Sequence, residues 1–304
     1  MNAKVIINPS SGLKTVQKNA RRIVSKLLEE KTIEKAEIVN TGKQGDAYRE
    51  AFNINDKDID IVIAAGGDGT VNEVINGLID GNHKQPLAIL PAGTANDFAN
   101  HIKMPQDVNR FCKIIRRHKV LQADAGKIGG KYFANVASGG LLTDIAHSVS
   151  AKRKSVLGYM AYIVEGAREL TSSPDPKTFK AKIETKGRVI EDDILFFLVS
   201  NSPRVGGFSN VFPKACISDG LLDVMVVHKQ NLAEMVNLFI RLGNGKHMES
   251  VRVSYFRTES IKIECIDGDG IELDIDGEIG GPLPVEIEVA PAAFNLVVPT
   301  DYGK

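Results

Sequence analysis

Two glycine-rich segments of the chain contain residue types that could bind a phosphate group. In "GGDGT", residues 66–70, the glycines allow a tight turn after a strand, and the following helix would offer free N–H groups to phosphate oxygens. The segment "PAGTANDF", residues 91–98, repeats this plan and adds Asn96 and Asp97. The spacing matches neither the Walker nor the dinucleotide-binding pattern. A lone GDG turn is often only a turn, so both interpretations of the first segment stay open.

The elements around these segments alternate between strand and helix patterns. Apolar runs typical of buried strands alternate with segments whose apolar residues recur at helical spacing. Such an order predicts a mainly parallel sheet with helices on both faces, and ligands of these sheets bind beyond the carboxyl ends of the strands. Three glycine-bearing loops lie at predicted strand ends: "NPSSG", "GGDGT" and "PAGTAND".

The second half of the chain has a different pattern, which predicts a second domain. From about residue 123 the sequence is rich in strand patterns, and the pairs joined by "IGGK" and "ETKGRV" are typical of hairpins. We therefore predict an α/β domain over residues 1–122, with residues 292–304 returning to it, and a mainly antiparallel, β-sandwich-like domain over residues 123–291. A helical pattern over residues 143–170 interrupts the second domain.

Composition narrows the class of protein. The chain has 304 residues and a formal net charge of zero, which gives no long-range attraction to nucleic acid, and we expect no nucleic-acid partner. Three scattered cysteines favour buried thiols in a reducing cytoplasm over a disulfide framework. No apolar run is long enough for a signal peptide or a membrane span. We expect a soluble cytoplasmic protein that at most lies on the inner membrane surface.

Five motifs occur in a consistent order along the chain: "NPSSG", "GGDGTVNEV", "PAGTANDF", "PKACISDGLLDV" and "DGE". Together they resemble the motifs of the diacylglycerol kinase catalytic-domain family, and the likeness is greatest to the soluble bacterial lipid kinases. The resemblance implies an ATP-dependent lipid kinase with its active site in a cleft between the two domains. GGDGT also occurs in NAD kinases, so an NAD kinase-like enzyme and a non-catalytic nucleotide or lipid sensor are the alternatives.

The resemblance also implies which residues line the ATP. They are Asn8, Pro9, Thr41, Gly67, Asp68, Gly69, Thr70, Val71, Asn72, Glu73 and Thr94, with Asn96 and Asp97 from the neighbouring loop. The family usually has a histidine after Thr41, in a T-x3-G-H-A pattern, where this chain has Asp46. That departure weakens the expected contacts beside Thr41, which could instead be a simple strand-end hydroxyl.

A magnesium ion is expected with the ATP, because phosphoryl transfer depends on neutralising phosphate charge and carboxylates hold magnesium, usually through water. Asp68 is the predicted principal ligand, with Asn72, Asp97 and Asp124 as candidates around it. Asp124, in "QADAG", could equally be a strand-start or turn aspartate.

The resemblance assigns the general base to Glu278, in "DIDGEIGG". A positioned carboxylate can accept the proton of the acceptor alcohol. From spacing alone, "DGE" equally predicts a hairpin tip, with Asp276 and Gly277 in the turn and Glu278 solvated.

A second, structural magnesium is implied in "PKACISDGLLDV", held by Asp219 and the backbone carbonyls of Cys216 and Leu221. The alternative is an Asp-Gly hairpin turn at the same place.

The acceptor is expected to be a lipid at the membrane surface. The sequence leaves the oligomeric state open, although kinases of the type it resembles are often homodimers. The stretch "AKRKSVLGYMAYIVEGAREL" has a basic start and an apolar face, which fits an interfacial helix and equally a core helix.

Overall fold

The computed structural model describes residues 1–12, 15–141, 176–243, 245–268 and 270–303. The chain divides into two compact units. The first contains Met1–Ala125 and Pro291–Lys304, and the second contains Gly126–Ala290.

A parallel sheet forms the centre of the first unit. Its strands lie in the order β2-β1-β3-β4-β15, and Leu296 of β15 pairs in parallel with Leu87 of β4. The strands are β1 (Asn2–Ile7), β2 (Lys35–Asn40), β3 (Ile61–Gly66), β4 (Leu87–Pro91) and the carboxyl end of β15 (Val285–Val297). The end of the chain lies on the first unit, where β15 pairs with β4.

Helices cover this sheet. They are α1 (Thr15–Glu29), α2 (Asp46–Phe52), α3 (Asp68–Asp80), α4 (Asp97–His101) and α5 (Val108–Arg117). Helix α1 packs against α5, and α2 packs against α3. Every residue of β3 and β4 is buried, as expected when a parallel sheet is covered on both faces. The predicted α/β architecture of this unit is confirmed. Helix α5 was not predicted from the sequence, although Phe111, Cys112 and Ile115 form its buried face.

Antiparallel strands form the second unit, as predicted. The order is β14-β13-β7-β9-β8-β12-β15, with β10 between β9 and β11. Strand β5, which begins in the first unit, forms a hairpin with β6. Their bounds are β5 (Val120–Ile128), β6 (Lys131–Phe133), β7 (Val136–Gly140), β8 (Phe179–Thr185), β9 (Arg188–Ser200), β10 (Leu222–His228), β11 (Val253–Thr258), β12 (Ser260–Cys265), β13 (Glu272–Ile275) and β14 (Glu278–Pro282).

Strand β9 separates two apolar cores of this unit. Because side chains alternate along a strand, Phe197 and Val199 contribute to one core while Phe196 and Leu198 contribute to the other. The second core is completed by α6 (Leu232–Gly243), which the sequence interpretation missed. A sheet with apolar cores on both faces explains why residues 194–200 are all buried.

Two predictions for the second unit have different outcomes. The Asp-Gly hairpin alternative at residues 219–220 is wrong, because no strand lies between the end of β9 at Ser200 and the start of β10 at Leu222, a range that is described throughout. The segment there is a loop with turns. The predicted helix over residues 143–170 lies outside the described residues. Of the helices that the structure describes, none has both the length and the apolar character needed to cross a bilayer.

Candidate active site

Three loops of the first unit meet at the carboxyl ends of β1, β3 and β4. The Asn8 side chain donates a hydrogen bond from Nδ2 to Thr70 Oγ1 at 2.9 Å. The Gly67 N–H lies 3.3 Å from Ser11 Oγ, which accepts its hydrogen bond. A Cβ atom on Gly93 would lie 2.6 Å from the Cα of Gly67, so these two glycines allow the second and third loops to touch. The phosphate-binding segments predicted from the sequence are therefore brought together.

Asp68 begins α3 and also holds the third loop. Its Oδ1 accepts a hydrogen bond from the Phe98 N–H at 3.3 Å, at the start of α4. Burial raises the pKa of the Asp68 carboxyl, and backbone N–H groups of Phe98, Asp97 and Asn96 oppose that rise. The carboxylate thus lies within the loop cluster.

Asn96 and Asp97 have a structural part in the third loop. Asn96 has a left-handed backbone, its Oδ1 accepts from the Gly93 N–H at 2.6 Å, and its Nδ2 donates to the Gly93 carbonyl at 2.8 Å. Both Asn96 and Asp97 are buried, whereas Thr94 of the same loop is exposed. Thr94 is therefore the residue of this loop most open to a ligand.

Glu73 lies on α3 but contacts the loop before α2. Its two carboxylate oxygens accept hydrogen bonds from the N–H groups of Gly45 at 2.9 Å and Ala47 at 3.1 Å. A carboxylate at a helix N-terminus is stabilised by the free N–H groups and by the helix dipole. Glu73 therefore caps α2, a role that no local pattern in the sequence indicated.

The segment after Thr41 folds around Asp46, which stands where the family pattern has histidine. Oδ2 of Asp46 accepts hydrogen bonds from the N–H groups of Gly42 at 2.8 Å and Lys43 at 2.9 Å. These two bonds lower the pKa of the Asp46 carboxyl. Thr41 is buried, and its N–H donates to the Ile7 carbonyl at 2.8 Å, so it adjoins the end of β1.

The remaining nucleotide candidates surround the same cluster. Pro9 follows Asn8 in the first loop, and Gly69 and Val71 lie in the first turn of α3. Asn72 is half-buried, and its side-chain oxygen accepts from Asn76 Nδ2 at 3.2 Å.

Asp124 is almost completely buried at 3% exposure, and its Oδ1 accepts from the Ala292 N–H at 2.7 Å. It therefore joins β5 to the returning chain end. Within the described ranges, no three His, Cys, Asp or Glu side chains are grouped closely enough to hold a metal by themselves. Magnesium bound to a nucleotide commonly takes only one or two carboxylates, with phosphates and water as its other ligands. The oxygen donors around Asp68 fit that mode of binding.

Glu278 of the second unit begins β14, directly after the turn formed by Asp276 and Gly277. Both turn residues have positive φ, 51° and 89°, and glycine adopts this conformation without the strain that other residues incur. Glu278 is exposed. The hairpin-tip interpretation of "DGE" is thus confirmed, and it leaves the glutamate accessible.

Asp276 fixes this hairpin tip, which the sequence interpretation did not anticipate. Its carboxylate accepts from the Ala134 and Val136 N–H groups, each at 2.8 Å, and from the Asn135 N–H at 3.2 Å. These donors lie about 140 positions earlier in the chain. Asp276, two residues before Glu278, therefore ties the hairpin tip to the start of β7.

The Asp219 loop leads into a network of charged groups between β10 and β11. Arg257 Nη2 donates to Asp219 Oδ2, and Tyr255 Oη donates to Asp223 Oδ1. Arg257 Nε lies 3.5 Å from Asp223 Oδ2, which is an ion-pair contact but not a hydrogen bond. Burial raises the pKa of Asp223, while Tyr255 and Arg257 oppose that rise.

A metal at this loop would have to compete for its carboxylate. Both oxygens of Asp219 already have partners, since Oδ1 accepts from the Leu221 N–H at 3.2 Å and Oδ2 binds Arg257. Backbone carbonyls of Cys216 and Leu221 would be the other ligands. As it stands, the donor set does not fit a bound metal unless Arg257 moves away from Asp219.

Comparison with known proteins places these features in a family. Residues 2–128 match the model of the diacylglycerol kinase catalytic domain, and residues 135–298 match the YegS C-terminal NAD kinase beta sandwich-like domain. The chain is 32% identical over 303 residues to the diacylglycerol kinase of Bacillus subtilis strain 168, covering 99% of this chain and 98% of that protein. The chain belongs to the diacylglycerol kinase family.

Other relatives agree with this assignment. The diacylglycerol kinase of Staphylococcus saprophyticus is 34% identical over 299 residues, covering 98% of this chain and 96% of that protein. A crystal structure of a diacylglycerol kinase from Bacillus anthracis strain Sterne superimposes with a TM-score of 0.78 at 26% identity, covering 99% of this chain and 98% of that one. The diacylglycerol kinase catalytic-domain match contains the three loops that meet at Asp68.

Proposed function

We propose that this chain transfers the γ-phosphoryl group of ATP to the hydroxyl of diacylglycerol, giving phosphatidic acid, or to that of a related lipid alcohol. The observation that carries the proposal is the meeting of three loops around Asp68, in a chain of the diacylglycerol kinase family. The loops join backbone N–H groups at the start of a 13-residue helix to a carboxylate. That combination suits a phosphate accompanied by a divalent cation.

The first unit would hold the nucleotide. Asn8, Pro9, Thr41, Thr94 and residues 67–73 line it, with Asn96 holding the third loop in shape. The N-terminal N–H groups of α3 bind phosphate oxygens, as free helix N-termini do. Asp68 would hold magnesium, with Asp97 and Asp124 as further candidates. Bound magnesium would neutralise phosphate charge, which is its main contribution in phosphoryl transfer.

Glu278 would act as the general base. The lipid hydroxyl oxygen attacks the γ-phosphorus, the bond from that phosphorus to the β–γ bridging oxygen breaks, and ADP leaves. The hydroxyl proton passes to the Glu278 carboxylate. Its exposure at the tip of the β13–β14 hairpin supports this role, because a base must be reachable by a large lipid substrate.

The chain would act in the cytoplasm as a homodimer. It would bind its lipid acceptor at the inner membrane surface. Light scattering after gel filtration tests the dimer, and cosedimentation with lipid vesicles tests the membrane association. Asp219, with the carbonyls of Cys216 and Leu221, would bind a structural magnesium only in a form in which Arg257 has released the carboxylate.

A kinase assay with labelled ATP and magnesium tests the reaction. Mixed micelles would present diacylglycerol, phosphatidylglycerol, sphingosine or ceramide, and NAD would be supplied in a parallel reaction. We expect the label to appear in a lipid product, and we expect Asp68→Asn to abolish this transfer. Asp80→Asn, at the opposite end of α3, is the matched control and should keep the activity. Transfer to NAD alone would favour an NAD kinase-like enzyme, and ATP binding without transfer to any acceptor would favour a sensor.

A further inference from the structure

A polar pocket lies in the second unit, where β10 ends beside β9 and the start of α6. Its volume is about 440 Å³, and every lining residue except Pro176 is polar or charged. Such a lining does not suit an acyl chain, because an apolar ligand would strip water from these groups without replacing its hydrogen bonds. The occupant that fits is small and polar.

The main chain fixes the two cationic residues of this pocket. The Lys229 N–H donates to the Asp193 carbonyl at 2.8 Å, and the His228 N–H donates to the Arg252 carbonyl at 2.9 Å. Lys229 and Arg252 therefore extend from adjoining segments at one end of the sheet.

Two of the three pocket carboxylates already have partners. Asp192 Oδ2 lies 2.8 Å from His228 Nδ1, and its Oδ1 accepts from the Asp193 N–H at 2.8 Å. Glu234 Oε2 accepts from the Asn231 N–H at 3.1 Å, in the cap of α6. These two acids are therefore occupied by neighbouring groups of the chain.

Gln230, Lys229 and Arg252 have side-chain donors without an acceptor among the described residues. Gln230 is buried at 5% exposure, and its Nε2 has no hydrogen-bond partner in the part of the chain that the structure describes. No carboxylate among those residues lies within 4.0 Å of the charged groups of Lys229 or Arg252. Buried polar groups in folded proteins nearly always have a partner, in the protein or in ordered water, so the Gln230 amide leaves a donor that an acceptor in the pocket can use.

We propose that this pocket binds a small anion through a phosphate group, with Lys229 and Arg252 supplying charge and Gln230 Nε2 supplying a hydrogen bond. Three carboxylates, Asp192, Asp193 and Glu234, also line the pocket, and their negative charge weakens binding of a bare anion. Asp193 is the one whose carboxylate has no partner in the described ranges, so it opposes the two cations most directly. The phosphate could belong to a lipid headgroup or to a free ion. This site is independent of the proposed kinase reaction, which uses other residues.

Nuclear magnetic resonance of the full chain tests the free-ion arm. The protein would be labelled with ¹⁵N and saturated with a non-hydrolysable ATP analogue, so that added phosphate cannot fill the nucleotide site. Inorganic phosphate is then titrated while the Gln230 side-chain amide signal, assigned with Gln230→Leu, is followed. We expect a saturable shift, weakened about tenfold or more in Lys229→Gln and Arg252→Gln, as for loss of a charge-assisted hydrogen bond. Asp193→Asn should strengthen binding.

The lipid arm uses cosedimentation with phosphatidylcholine vesicles, with or without phosphatidylglycerol. Lys186→Gln removes an exposed cation that does not line the pocket and is the matched control in both arms. Loss of vesicle binding in Lys229→Gln and Arg252→Gln alone would assign the phosphate to a headgroup. A saturable shift without such loss would assign it to a free anion. Absence of any response in both arms, or equal responses in the pocket and control variants, overturns the proposal.

Discussion

Single side chains in this protein often serve a distant segment rather than their own neighbours. Asp276 binds three N–H groups at the start of β7, Glu73 caps α2, and Arg257 pairs with two aspartates. Each of these groups has a charge that would be costly to leave unpaired. Two expectations follow at the scale of the residue.

Glu278→Gln should lower kcat while leaving the KM for ATP nearly unchanged. The amide cannot accept the proton of the lipid hydroxyl, and loss of a general base typically costs about 10²–10⁴-fold in rate. The steady-state assay with micellar lipid measures both constants. Glu272→Gln, an exposed glutamate on β13, is the matched control. A rate equal to that of the control would remove Glu278 from the mechanism.

His247 should make stability depend on pH. Its ring is fully buried, its Nε2 lies 2.8 Å from the Val211 carbonyl, and burial lowers its pKa. Because the unfolded chain binds a proton more readily, this residue destabilises the fold as pH falls below the ordinary value of 6.5. The slope is at most about 1.4 kcal/mol per pH unit. Urea unfolding between pH 5 and 8, roughly the range of histidine titration, should show a shallower slope in His247→Gln.

Loops at the ends of strands, and not the strands themselves, define the candidate active site. The parallel sheet supplies three strand ends at one edge, and Gly67 and Gly93 allow their loops to come into contact. At the scale of the element, the site depends on the absence of a side chain at this contact.

Gly93→Ala should weaken ATP binding and destabilise the first unit. The added Cβ would lie 2.6 Å from the Gly67 Cα and 3.0 Å from Asn96 Oδ1, so the loops must separate. Overpacking of this kind costs about 1–3 kcal/mol. Thermal unfolding with and without ATP measures both effects. For stability alone, Gly69→Ala is the control, because its Cβ would meet nothing within 4 Å and alanine favours the helix. An unchanged melting temperature in Gly93→Ala would contradict this expectation.

The whole chain is needed to complete the first unit, because residues 291–304 return to it after the second unit. Four large apolar residues of this return, Phe294, Leu296, Val297 and Val298, are buried. The Ala292 N–H also satisfies the buried Asp124. The first unit is therefore discontinuous in sequence.

Truncation after residue 290 should leave the first unit unfolded or poorly soluble. Burial of one large apolar side chain contributes about 1.5–3 kcal/mol. Loss of four buried side chains would therefore remove free energy comparable to the whole unfolding free energy of an ordinary domain. Circular dichroism and solubility measure the outcome. Truncation after Thr300, which keeps all four buried residues, should be tolerated far better. Equal behaviour of the two truncations would show that the return is dispensable.

The amino-acid sequence by itself determined the strand and helix alternation, the two-part division of its patterns and the glycine-rich segments. These features depend on local periodicity and on the conformational freedom of glycine, which neighbouring residues specify. It also sufficed to predict hairpins at residues 128–131 and at 185–188. Helix α6 was not predicted, although Met235, Leu238 and Phe239 have helical spacing. The reason is that the segments on either side of it have the patterns of strands.

Only the tertiary structure decided the partners of Asp276, Glu73, Asp219 and Gln230. Asp276 reaches donors about 140 positions away, and Asp219 meets a guanidinium 38 positions later. Such contacts depend on strand order and register, which are set by the packing of the whole unit and carry no local pattern. The tertiary structure was also needed to show that the Gln230 amide has no partner among the described residues, because this depends on the positions of all the groups around it.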